Sequence, residues 1–154
     1  MPDGAVLFVC LGNICRSPMA EGALRAEAAR AGLALRVDSA GTADYHVGEA
    51  PDARAVRTAQ RHGVDISGLR GRQARAQDFD DFTHIFALDH NNLKGLQRIA
   101  PAGHGAHLGL LLDLVPGREG QAVADPWYGE EAGFEQTWAE VTAAARALVE
   151  RLRR

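Results

Sequence analysis

Two short stretches carry side chains whose types and spacing can do chemistry: Cys10-Leu11-Gly12-Asn13-Ile14-Cys15-Arg16-Ser17-Pro18 and Asp125-Pro126-Trp127-Tyr128-Gly129. Five residues between a cysteine and an arginine let a tight loop wrap one tetrahedral anion. Successive backbone N–H groups in such a turn converge on the anion, and the N-terminus of a following helix adds its dipole and free amides. Arg16 offers a planar fork that meets two phosphate oxygens at once. A thiol in that field ionises readily, which makes Cys10 a candidate nucleophile for in-line attack on phosphorus. Ser17 can donate a hydrogen bond to the sulfur and help it leave when a covalent intermediate is hydrolysed.

The first stretch supplies a nucleophile and a clamp but no proton donor. Expelling an aryl or alkyl oxygen needs an acid, and a carboxyl group on a separate loop is the usual supplier. Asp125 fits, because Pro126 restrains its backbone and the two aromatics beside it can line a pocket for a flat substrate. After the leaving group departs, the same carboxylate can activate water. Singly, each motif is weak, since Cys10 suits a core thiol and Asp125-Pro126 an ordinary turn. The pair together is specific.

Hydrophobic patterning indicates the elements that must hold these residues. Val6-Leu7-Phe8-Val9 is an apolar run suited to a parallel strand buried on both faces, and Ser17-Pro18 suits a helix start. Met19, Ala20, Ala23, Leu24, Ala28 and Ala31 follow at helical spacing, stopped by Gly32, and residues 33–41 read as a second strand, completing a βαβ unit. Beyond them the pattern predicts a helix capped by Asp52 and ended by Gly63, and a short helical turn over 77–82. A third strand is predicted over 84–89, a helix over 91–100 and a fourth strand over 106–114. A long last helix carries the stripe Phe134, Trp138, Val141, Ala145, Leu148 and Leu152, expected to pack on the sheet. The anion loop then sits at the carboxyl end of a strand, where open α/β sheets bind ligands.

At 154 residues the chain reads as a single domain, residues 1–154, long enough to bury a core. With 17 Lys+Arg against 20 Asp+Glu, its net charge of −3 gives no case for nucleic acid or an anionic membrane. No apolar run approaches the roughly 20 residues of a membrane span, and the N-terminus lacks a cationic leader, so a cytoplasmic protein is expected. Two cysteines are too few for a disulfide scaffold or a cysteine-based zinc site. His46, His84, His90, His104 and His107 lack metal-ligand spacing and read as surface or loop residues. Arg70, Arg72 and Arg75 read as a solvated basic surface.

Cys10 through Glu21, with Asp125-Pro126-Trp127-Tyr128-Gly129, Asp38-Ser39-Ala40-Gly41-Thr42, Arg61-His62-Gly63 and Leu88-Asp89, strongly resembles the low-molecular-weight protein tyrosine phosphatases over nearly the whole chain. The resemblance implies an α/β three-layer sandwich, a four-stranded parallel sheet flanked by helices with the phosphate-binding loop after the first strand. It implies hydrolysis of phosphotyrosine monoesters through a cysteinyl-phosphate, with Cys10 as nucleophile, Arg16 as phosphate clamp, Ser17 as thiolate stabiliser and Asp125 as general acid. Leu11, Gly12, Asn13, Ile14, Cys15 and Ser17 are implied around the substrate phosphate. Asn13 and Ser39 match positions that hold the strained loop by hydrogen bonding. Tyr45, Trp127 and Tyr128 match the pocket wall, with Trp127 stacking on the phenyl ring.

Neither a metal nor an organic cofactor is implied. The implied partners are tyrosine-phosphorylated proteins, with phosphate or other oxyanions as inhibitors in the loop. The resemblance also supports a reversible Cys10–Cys15 disulfide as a redox safeguard, the alternative being that Cys15 is a small apolar filler. It places Asp89 under the site and puts Leu69 near a position that is histidine in some relatives. His62, just before Gly63, reads as a helix-end cap, with a pairing to Asp89 as its second reading. Three rival functions stand beside this one. Related arginine phosphatases tend to carry threonine where Ile14 stands. Arsenate reductases of the same fold relay oxidation to a later cysteine pair, and no cysteine follows Cys15. A silent phosphopeptide-binding module would dispense with Cys10 or Asp125, and both are present.

Overall fold

Alternation along the first strand, β1 (Gly4–Cys10), sends Val6, Phe8 and Cys10 to one face of a sheet and Ala5, Leu7 and Val9 to the other. In the computed structural model, which describes residues 3–127 and 129–154, both faces are covered and all of these side chains are buried. Parallel partners flank β1 on both sides: β2 (Leu35–Gly41) on one and β3 (His84–Ala87) on the other, with β4 (His107–Leu110) beyond β3. The order β2-β1-β3-β4 means that the chain steps outward from β1 to β2 and then crosses back to β3. The carboxyl end of β1 is therefore a topological switch point, where diverging connections open a crevice.

Helices α1 (Arg16–Ala31), α2 (Ala53–Arg61) and α5 (Glu131–Leu152) share a core with Val6, Phe8 and Phe86. The short helix α3 (Asp78–Asp81) and helix α4 (His90–Ile99) cover the other face, where Phe79 and Leu96 meet Leu7, Val9 and Ile85. This is the expected three-layer α/β sandwich on a four-stranded parallel sheet. Local signals set the helix limits. Gly32 adopts φ 72° to close α1, and the carboxylates of Asp52 and Asp89 accept the N–H groups of Arg54 and Asn92 to start α2 and α4.

Tertiary structure overrides the pattern in four places. The predicted fourth strand ends at Leu110, and Leu111–Leu114 coils into a 3-10 turn. Leu111, Leu112 and Leu114 all enter the core on the α1 side, which the strict alternation of a strand forbids. The third strand stops at Ala87 because Asp89 is drawn off to cap α4. The apolar stripe of α5 lies chiefly on α1, with α2 and the 3-10 turn beside it, and meets the sheet only within their shared core. Arg72 is a half-buried tie instead of a solvated cation: it pairs with Asp38 at 3.1 Å and with the fully buried Asp78 at 3.0 Å. Among the described residues, no helix is long and apolar enough to cross a membrane.

At the sheet edge His84 and His107 are Cα partners, with their rings 5.9 Å apart. Burial, and secondarily the charge of His107, holds His84 below its ordinary histidine range. The unfolded chain therefore takes up a proton before the folded one does. The contribution to stability is complete above about pH 6.5 and is lost as pH falls toward the depressed folded value. Urea midpoints should drop between neutral pH and about pH 5, and the drop should be shallower for His84→Gln.

Candidate active site

Strand β1 ends at Cys10 and helix α1 begins at Arg16, so residues 11–15 must turn the chain within one short loop. Asn13 makes that turn in the left-handed region at φ 59°, a conformation few non-glycine residues accept and asparagine tolerates best. Its buried carboxamide locks the turn from three directions. Nδ2 donates to Ser17 Oγ at 2.8 Å and to Ser39 Oγ at 2.9 Å, and Oδ1 accepts the Arg72 N–H at 3.0 Å. The Ser39 hydroxyl donates in turn to Glu21 at 2.8 Å. Burial pushes the Glu21 carboxyl up, against the opposing pull of Arg25 and Ser39. Leu69 stays outside this network and packs on the core.

The loop's carbonyls are engaged by the segment that follows β2. Thr42, Ala43 and Asp52 donate their N–H groups to the carbonyls of Cys10, Leu11 and Ile14 at 2.9, 3.0 and 2.8 Å. The N–H groups of residues 11–15, by contrast, donate to no protein acceptor among the described residues. A run of free amides at a helix N-terminus is an anion site. The backbones are so close here that only glycine fits at position 41. A Cβ on Gly41 would come within 2.6 Å of the Leu11 carbonyl oxygen and 3.2 Å of the Asn13 nitrogen.

Cys10 Sγ lies 3.0 Å from Ser17 Oγ. Because the Ser17 oxygen already accepts from Asn13, its single proton is left for the sulfur or for the Ala40 carbonyl, which is farther away at 3.4 Å. The buried Arg16 guanidinium is anchored through Nη1, which donates to Asp89 Oδ2 and to the Val123 carbonyl, both at 2.9 Å. Its Nη2 lies 3.7 Å from Asp125 Oδ2, so the two motifs read from the sequence meet here. Asp125 is 39% exposed and accepts the N–H of Trp127 at 3.0 Å.

A pocket of about 240 Å³ opens over the loop. Cys10, Leu11, Gly12, Ile14, Cys15 and Arg16 line its base. Tyr45, His46, Asp125 and Trp127 form the walls, with Tyr45 69% and Trp127 39% exposed. Asn13, Ser17 and Ser39 stand behind the loop, their side chains occupied by one another, while Tyr128 lies outside the described residues. Both cysteines are free thiols. Burial, then the charges of Asp52, Cys10 and Asp125, push the Cys15 thiol far above its ordinary range, so it remains neutral.

One histidine departs from the sequence reading, and a second keeps only the first of its two readings. His46 belongs to the pocket, its ring 6.2 Å from Trp127 and its Nδ1 3.1 Å from Glu49. The available signal was its place beside Tyr45, together with Gly12, where a Cβ would meet the His46 ring at 2.9 Å. His62 caps the end of α2, as read, but does not reach Asp89. It pairs with Glu135 at 2.8 Å and stacks on Trp138 at 5.3 Å, because Asp89 is spent on Arg16 and the start of α4. Among the described residues, no group of three or more His, Cys, Asp or Glu side chains could hold a metal ion.

Gly41→Ala forces the anion loop outward and is expected to cost about 1–3 kcal/mol and to weaken inorganic phosphate binding measured by calorimetry. Gly105→Ala, where a Cβ meets nothing within 4 Å, is the control that should leave both unchanged.

A family model described as low molecular weight phosphotyrosine protein phosphatase matches residues 5–154. A Saccharomyces cerevisiae protein of that name is 37% identical over 155 residues, covering 97% of this chain and 96% of the relative. Among solved structures, a protein tyrosine phosphatase from Entamoeba histolytica with Hepes in its active site superposes with a TM-score of 0.92 at 32% identity, covering 97% of each chain. A Drosophila arginine phosphatase superposes with a TM-score of 0.91, also at 32% identity, over 100% of this chain and 99% of its own. By sequence across nearly its whole length, and by the sheet and loop just described, the chain belongs to the low molecular weight phosphotyrosine protein phosphatase family.

Proposed function

We propose that residues 1–154 act as one protein tyrosine phosphatase domain that hydrolyses phosphotyrosine monoesters through a cysteinyl-phosphate intermediate. The observation that carries this reading is the ring of unpartnered amides around Cys10, closed by a buried Arg16 and faced by Asp125. The phosphate dianion occupies the amide ring, and Arg16, anchored through Nη1, turns Nε and Nη2 to two of its oxygens. Cys10 Sγ attacks phosphorus as the ester P–O bond breaks, and protonated Asp125 delivers its proton to the departing phenolate oxygen. Tyr45, His46 and Trp127 hold the phenyl ring above the base of the pocket.

In the second step Asp125, now a carboxylate, takes a proton from water as that water attacks phosphorus. The P–S bond breaks, and the Ser17 hydroxyl donates to the departing sulfur, 3.0 Å away. Inorganic phosphate is released from the same amide ring, which makes it a competitive inhibitor. No step uses a metal, and turnover is expected to survive EDTA.

Ile14 in the pocket base favours a phenyl group over a phosphoguanidinium, whose N–H donors would meet a hydrocarbon surface there. The likeness to the Drosophila arginine phosphatase nevertheless makes phosphoarginine the second reading to measure. An arsenate reductase relay lacks its later thiols, since both cysteines lie within the loop.

Turnover of phosphotyrosine, phosphoserine and phosphoarginine peptides tests the substrate class. Phosphotyrosine should be preferred, and a preference for phosphoarginine would transfer the assignment. Cys10→Ser should abolish turnover while leaving phosphate affinity intact, and retained turnover would sink the nucleophile assignment. For Asp125→Ala, kcat/KM should fall by about 10²-fold or more on poor aryl leaving groups and far less on 4-nitrophenyl phosphate.

A further inference from the structure

Arg54, in the first turn of α2, lines neither the anion loop nor the pocket, yet it is bonded to the structures that carry both halves of the site. Its Nε and Nη2 donate to the two carboxylate oxygens of Asp52, each at 3.0 Å, while its backbone N–H donates to Asp52 Oδ1 at 2.8 Å. Asp52 in turn donates its own N–H to the carbonyl of Ile14, inside the anion loop, at 2.8 Å. On the far side Arg54 Nη1 donates to the carbonyl of Gly129 at 3.2 Å. The guanidinium carbon lies 5.3 Å from the centre of the Trp127 ring and 4.7 Å from that of Phe134, at the start of α5.

Apart from the buried Pro126, the segment that Arg54 holds has little else to hold it. Within residues 125–129, Trp127 N–H returns to Asp125 and Gly129 N–H returns to Pro126. Among the described residues, the bond from Arg54 is the one hydrogen bond that ties this segment to another element. Asp125 reaches Arg16 only at 3.7 Å. A carboxyl group that must meet a leaving-group oxygen within hydrogen-bond distance needs firmer placement than a turn closed on itself.

We propose that Arg54 is the positioning residue for the proton donor, fastening residues 125–129 to the anion loop through Asp52 so that Asp125 stands over the leaving-group oxygen. This rests on Asp125 acting as that donor. Arginine suits the task where lysine does not. A planar guanidinium can pair with a carboxylate along one edge, present a face to aromatic rings and keep a further N–H for a carbonyl, whereas an ammonium is a single point charge. Burial raises the Asp52 carboxyl, but the hydrogen bonds and charge of Arg54 outweigh it and hold Asp52 below its ordinary range. The brace is thus ionised at neutral pH.

The test compares kcat/KM for phenyl phosphate and 4-nitrophenyl phosphate in the wild type, Arg54→Met, Arg54→Lys, Asp125→Ala and the double variant Arg54→Met/Asp125→Ala. Inorganic phosphate serves as a competitive inhibitor throughout. Arg54→Met should lose about 10-fold more on phenyl phosphate than on 4-nitrophenyl phosphate, with phosphate inhibition unchanged. Arg54→Lys, which keeps the charge beside Asp52, should show the same contrast and so separate placement of the acid from stability of α2. In the Asp125→Ala background, Arg54→Met should add no further leaving-group contrast, because no donor remains to be placed. Equal losses on the two substrates, no loss, or weakened phosphate inhibition in place of a contrast would each overturn the proposal. A contrast missing from Asp125→Ala but present in Arg54→Met would instead overturn the acid assignment, and with it this role for Arg54.

Discussion

The carboxamide of Asn13 is the interaction on which the remainder of the site depends. A loop whose amides point at one centre must carry at least one residue in the left-handed region, and such a residue holds its place only when its surroundings fix it. Asn13 is fixed by Ser17 on α1, Ser39 on β2 and the backbone of Arg72, three segments that share no other polar contact with it. Because the side chain spends both of its N–H donors and its oxygen on neighbours, rotating it would leave several buried polar atoms unpaired at once. The cost of that rotation keeps the free amides aligned. It also sets the direction of the Ser17 hydroxyl, since an oxygen already accepting from Asn13 keeps its proton for another partner.

Around this hub, charges are placed in belts at increasing distance from Cys10. Arg16 is buried but compensated by Asp89 and a carbonyl, which satisfies one end of the guanidinium and holds it rigid. Asp89 divides its two oxygens between Arg16 and the first turn of α4, so one carboxylate couples the clamp to the opposite layer of the sandwich. Farther out, Arg72 joins Asp38 on β2 to the buried Asp78 of α3, while its N–H closes the Asn13 network. Each cation near the loop is thus tied to an element that the hydrophobic core already fixes. Desolvation works against these pairs, and the additional hydrogen bonds to carbonyls and amides offset it.

The sequence revealed those parts of the structure whose determinants are adjacent along the chain. The run from Val6 to Val9, the helical spacing after Pro18 and the stop at Gly32 are local signals, and β1 and α1 lie where these signals put them. The Cys10 loop and the Asp125 turn were legible as chemistry for the same reason, each being a compact group of residue types. What escaped was decided by partners remote in the chain. The run Leu110–Leu114 looks like strand until it is known that one core claims Leu110 and the other claims Leu111, Leu112 and Leu114 together. His62 could not be matched to Glu135, nor Arg72 to Asp38 and Asp78, from spacing alone. His46 carries no motif, and only the approach of the Trp127 turn, some eighty residues on, makes it part of a wall.

Strand β1 lies inside the sheet, with a neighbour on each side and a hydrophobic layer over each face. Its last residue is the cysteine. Elements so enclosed open only in the global unfolding event, whereas loops at the rim open locally and often. The thiol therefore has two regimes of accessibility with different energetics. A small anion or oxidant meets it through the mouth of the pocket at no conformational cost. A reagent too bulky for that mouth must wait until both layers have left the sheet, and its rate of capture reads out the stability of the whole fold.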